Sequence, residues 1–106
     1  MKVFKIGKGR FITRGIRENI PAVLVMYLWA LIDERKANKE VPMDYLQVLE
    51  LRPEIKDNEK NLIITLRQEQ PTYEEVHSLT KFVNIKEKIY VIDDIDYVTM
   101  MLAEEY

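Results

Sequence analysis

The chain has no cysteine among its 106 residues. That excludes a disulfide frame and a thiolate metal site, and it fits a reducing compartment. Glycine is nearly absent too. All three glycines fall within residues 7–15, so the rest of the chain has no glycine-rich phosphate loop. There is one histidine, His77, with no cysteine beside it and no acid–base partner at a telling spacing. No repeat, low-complexity stretch or linker interrupts the chain. The N-terminus, MKVFKIGKGRF, lacks the unbroken apolar stretch of a secretory signal. Net charge is only -2, so no general attraction to nucleic acid or membrane is expected. An apolar content of 47% beside 32% charged residues is that of a globular chain. One domain, residues 1–106, is expected, and a cytoplasmic location.

What is present begins with Ala22–Ile32, eleven apolar residues without a break. A bilayer span needs about 20. A helix apolar all round has no face suited to water and must be wrapped by its own fold or by a partner. Pro21 suits a first helical turn, with Asn19 as a cap just before it, and the helix should run to about Lys36. Pro42 prevents continuation.

The period then changes to alternation. Residues 45–51 and 61–67 read as strands of a hairpin around the polar turn Asp57-Asn58-Glu59-Lys60. Tyr73–Thr80 reads as an edge-like strand, with Glu74 and Glu75 opposing further pairing. Lys88–Ile92 is a strand. After it, Asp94-Ile95 fits the turn of a hairpin, with Val98, Met100 and Leu102 on one strand face; a helix over 95–103 is the alternative. Phe11–Thr13 is a short strand ended by Gly15. The expected architecture is α+β: one long buried helix packed on an antiparallel sheet of four to five strands. Residues 1–9 read as a flexible basic arm.

Charge is separated along the chain. Residues 1–17 carry Lys2, Lys5, Lys8, Arg10, Arg14 and Arg17 and no acid, while the last seventeen carry five acids and no base. Lys8, Arg10, Arg14 and Arg17, interleaved with Phe4 and Phe11, suit phosphates and a stacked base. They suit equally a basic segment neutralised by the acidic tail. Asp93, Asp94 and Asp96 offer carboxylates to a divalent ion, but the spacing lacks the glycine and glutamate of a calcium loop, and aspartate is common in turns. No catalytic residue, metal site or cofactor is expected. Met26 and Trp29 lie one turn apart in the apolar helix. Both residue types are favoured at interfaces, so this edge of the helix is the expected contact surface. The leading reading is a small interaction protein, working through a protein partner or as a homodimer. A nucleic-acid binder using the basic arm is the alternative. An enzyme built on His77 or on the three aspartates comes after it.

Several strings then resemble a known family. They are Arg10–Gly15 (RFITRG), Leu28–Asp33 (LWALID), Asp44–Leu51 (DYLQVLEL), Val91–Asp94 (VIDD) and Thr99–Tyr106 (TMMLAEEY). In this order they resemble the uncharacterised bacterial proteins grouped as domain of unknown function 960. The resemblance implies a compact, free-standing bacterial cytoplasmic protein. It implies no activity, ligand or site residue.

Overall fold

The computed structural model describes residues 3–7 and 9–106. Among these, the chain order is β1 (Val3–Gly7), β2 (Arg10–Thr13), α1 (Arg14–Asn19), α2 (Ala22–Ala37), β3 (Leu46–Lys56), β4 (Glu59–Gln68), β5 (Tyr73–Leu79), β6 (Glu87–Asp93) and β7 (Val98–Leu102). A 3₁₀ turn, Ala103–Glu105, follows. The strands form one sheet in the order β1-β2-β7-β6-β3-β4-β5.

This corrects the expectation of one buried helix on an antiparallel sheet of four to five strands. Seven described strands form a mixed sheet, and there are two described α-helices. The physical reason is a long-range pairing. After β2 the chain leaves the sheet through both helices, and β7 returns beside β2 in parallel, Arg10 opposite Val98 and Ile12 opposite Met100. Partners so far apart in sequence leave no local pattern. The segment expected as an arm contains β1, paired with β2 from Val3–Thr13 to Gly7–Arg10.

Local chemistry explains the other elements. Thr13 caps α1, its hydroxyl accepting from the Ile16 N–H. Asn19 closes α1 instead of capping α2: its amide donates to the Gly15 carbonyl at 2.9 Å. The β3–β4 hairpin turns on two residues, Asp57 (φ 53°) and Asn58 (φ 63°), the left-handed pair that matches the twist of the flanking strands. The strands therefore extend further than the alternation alone suggests. Residues 91–102 form the hairpin β6–β7, Val91 opposite Met100.

One sheet face carries the core. Leu49, Leu51, Leu62, Ile64, Leu66, Ile89, Val91, Met100 and Leu102 pack there against Leu24, Leu28, Leu31 and Ile32 of α2. Arg35 is also buried, at 1% exposure, and shapes the α2–β3 connection. Its guanidinium donates to the carbonyls of Asn38 (3.3 Å), Val41 (3.0 Å) and Pro42 (3.1 Å) and to Gln68 Oε1 (3.0 Å), and it stacks 4.4 Å from the Tyr73 ring. Among the described residues its partners are carbonyl and amide oxygens and no carboxylate, and these dipoles offset the cost of burying the charge. Glu105 ties the last turn to the start of α1. Its carboxylate accepts from Thr13 Oγ1 (2.5 Å), Gly15 N (3.0 Å) and Leu102 N (2.9 Å).

Candidate functional site

A helix with no polar face cannot hide all of itself against one sheet. α2 buries Leu24, Leu28, Leu31 and Ile32, but Val23 is 67% exposed and Met26 71%. Beside this uncovered side lies a groove of ≈ 440 Å³ between α2 and β2. From α2 it is lined by Ala22, Val25, Met26, Trp29 and Ala30, and from the neighbouring segments by Ile12 and Ile20. Its polar residues are Arg10, Arg17 and Asp33. The row Ala22, Met26, Ala30 follows the i, i+4 spacing of a helix, and its two small side chains leave room for a bound group.

Arg10 closes one end. It forms a two-pronged ion pair with Asp33, and its guanidinium lies 4.8 Å from the centre of the Trp29 ring. Arg17 stands at the rim, 4.3 Å from the Phe4 ring centre, and among the described residues it has no carboxylate partner. Trp29 forms part of the floor at 4% exposure.

The structure brings together Arg10, Arg17, Met26 and Trp29 from the sequence-based candidates. It does not bring in Arg14, which pairs with Glu18 one turn on at 2.8 Å. That hydrogen bond and charge raise the Arg14 pKa further above its ordinary value. Lys8 lies outside the described residues. The acidic tail meets the N-terminal half through Glu105 on Thr13 and Gly15, not through an arginine. Sequence reasoning missed Ile12, Ile20, Ala22, Val25, Ala30 and Asp33 as lining residues. The small–Met–small row was the available signal.

The remaining chemistry-bearing residues are spread out. Asp93 Oδ1 accepts from Ile95 N in the β6–β7 turn. Asp94 takes a hydrogen bond from the Tyr97 hydroxyl, which raises that phenol's pKa. His77 Nε2 lies 2.9 Å from Glu75 on the same strand. Among the described residues no three of His, Cys, Asp and Glu converge as a metal site would require. No described helix is long and apolar enough to cross a membrane.

Comparison with known proteins follows the fold. No curated protein matches the chain. A crystal structure of a protein of unknown function from Enterococcus faecalis is similar, with TM-score 0.74 and 20% identity, over 93% of this chain and 91% of that one. At that identity the likeness shows a shared fold. The family model described as "Staphylococcal protein of unknown function (DUF960)" matches residues 9–105, so nearly the whole chain is covered. The chain belongs to the DUF960 family.

Proposed function

We propose that this protein is a small, non-enzymatic binding module that takes an apolar segment of a partner protein, flanked by an acidic residue, into the groove beside α2. One observation carries the reading: an open apolar trough, with Met26 exposed at its edge, has a rim arginine, Arg17, that pairs with no carboxylate among the described residues. Clefts of roughly 300–1,000 Å³ with an apolar lining and few polar groups are the usual form of a binding site. Apolar floor and cationic rim together select a segment that is apolar with an anionic flank, since rim charges steer and orient a partner. Protein is favoured over nucleic acid because two of the three described basic candidates are already held by carboxylates. Arg10 is held by Asp33 and Arg14 by Glu18.

Trp29 supports a direct test because it is the only tryptophan in the chain and lines the groove. The probe is 1-anilinonaphthalene-8-sulfonate, which joins an apolar ring system to an anionic group. Binding should quench Trp29 emission by energy transfer. Met26→Asp and Arg17→Glu should each weaken it by roughly tenfold, the effect of about 1.4 kcal/mol. Quenching that neither substitution alters would place the probe elsewhere and sink the groove.

A further inference from the structure

The two edges of the sheet differ. β1 is bulged between Lys5 and Gly7, a device that spoils pairing with another strand. β5 is regular: seven consecutive residues pair with β4 without a shift, from Tyr73 opposite Gln68 to Leu79 opposite Leu62. No described strand lies on its outer side. It contains no proline, lysine or glycine, and its two acids, Glu74 and Glu75, oppose pairing only in registers that set them against another carboxylate. At its centre Val76 is 61% exposed.

An antiparallel partner is held to a few registers. Outward-facing backbone groups belong to every second residue of an edge strand, so two copies of β5 must pair residues of equal parity. A two-fold axis therefore passes through a residue. Through Glu74 or Glu75 it sets a carboxylate against its own copy, which is unfavourable. Through His77 only residues 75–79 overlap. Through Val76 the whole strand overlaps, because Val76 is the middle of Tyr73–Leu79. In that register Val76 meets the partner's Val76, Glu75 meets the partner's His77, Glu74 meets the partner's Ser78 and Tyr73 meets the partner's Leu79. Every pair is of matching chemistry, and the two acid–imidazole pairs lie on one face. The strand is complementary to itself.

We propose that the protein self-associates through β5, antiparallel about Val76, so that two seven-stranded sheets become one continuous sheet. This contact leaves the groove beside β2 free, since β2 and β5 lie on opposite sides of the sheet order. A single strand pair is a small interface, so association should depend on concentration.

Sedimentation equilibrium tests it. The wild-type mass should rise with concentration from 12.6 kDa towards twice that value. Val76→Glu sets two carboxylates face to face across the axis and should raise the dimer dissociation constant roughly tenfold or more. Val76→Lys alone should weaken association as well. An equimolar mixture of the two should recover it, because each glutamate then faces a lysine. Ser78→Glu, which opposes the partner's Glu74, tests the same register independently. Circular dichroism should show all variants folded, since these side chains face solvent. A wild type that stays at 12.6 kDa up to about 1 mM overturns the proposal. So does a dimer that survives Val76→Glu and is broken by Met26→Asp.

Discussion

Glu105→Gln should make the protein less stable, and by an amount that depends on pH. The wild-type carboxylate is half-buried and accepts three hydrogen bonds, from Thr13 Oγ1, Gly15 N and Leu102 N. Burial alone would raise its pKa. The three bonds outweigh burial and hold it below the ordinary 4.5. A bond to a charged acceptor contributes about 1.5–3 kcal/mol when buried. Glu105 is partly exposed, so solvent reduces this, and the amide of Gln keeps one accepting oxygen. The net loss should be about 2 kcal/mol, against a total stability of roughly 5–15. In urea at pH 7 the midpoint should fall by about 1 M. The sign with pH follows from linkage. A carboxyl whose pKa is lower in the folded state adds stability that is complete above the unfolded value and is lost as pH falls through the folded one. The gap between wild type and Glu105→Gln should therefore be full at pH 7 and shrink below about pH 4. Gly15 provides an internal control. A Cβ on it would lie 2.5 Å from the Glu105 carboxylate. Gly15→Ala should thus destabilise the wild type by displacing that side chain. In a Glu105→Ala background the same change should stabilise by up to about 1 kcal/mol, because alanine is the better helix former. A gap unchanged from pH 7 to pH 3, or a Gly15→Ala effect of one sign in both backgrounds, would show that the Glu105 carboxylate does not hold the start of α1.

Further consequences are direct. Leu28→Asp or Leu31→Asp should abolish the cooperative thermal transition, because both positions lie in the core and each change buries an unpaired charge. Arg35→Ala should cost about 3–5 kcal/mol by urea denaturation, through lost packing and orphaned carbonyls of the α2–β3 connection. Ile95 is 96% exposed and holds φ 68°. Ile95→Gly should raise stability by about 1 kcal/mol, since a β-branched residue is strained there, and an unchanged or lower melting temperature would contradict that.

The elements most legible in the sequence were those whose signal is local. Eleven apolar residues after Pro21 marked α2, and its end near Lys36 lies one residue from the observed Ala37. Alternation in residues 61–67 marked β4, and the Asp-Ile turn marked the β6–β7 hairpin. The parallel β2–β7 pair was not legible, since neither strand carries a mark of a partner about ninety residues away. Nor was α1, six residues including a glycine, which owes its start to Thr13 and to a carboxylate from the far end of the chain. Of the groove, Met26 and Trp29 could be read from residue type and spacing. Asp33 could not, because its role depends on Arg10 arriving from β2. The charge separation between the two ends is plain in the sequence, but the described N-terminal arginines that are neutralised find acids of α1 and α2 and not of the tail: Arg14 pairs with Glu18 one turn on, and Arg10, from β2, with Asp33.

Site-specific photo-crosslinking in the native cell tests whether the groove beside α2 receives a partner segment. A photoreactive residue replaces Met26 at the groove edge in one strain and Ile55, 73% exposed on the distal β3–β4 hairpin, in another. Position 26 should yield a discrete adduct absent from position 55 and lost when Arg17→Glu is added, and the crosslinked peptide should be apolar with an acidic flank. Identical adduct patterns from both positions, or an adduct at 26 indifferent to Arg17→Glu, would show that the groove is not the binding surface.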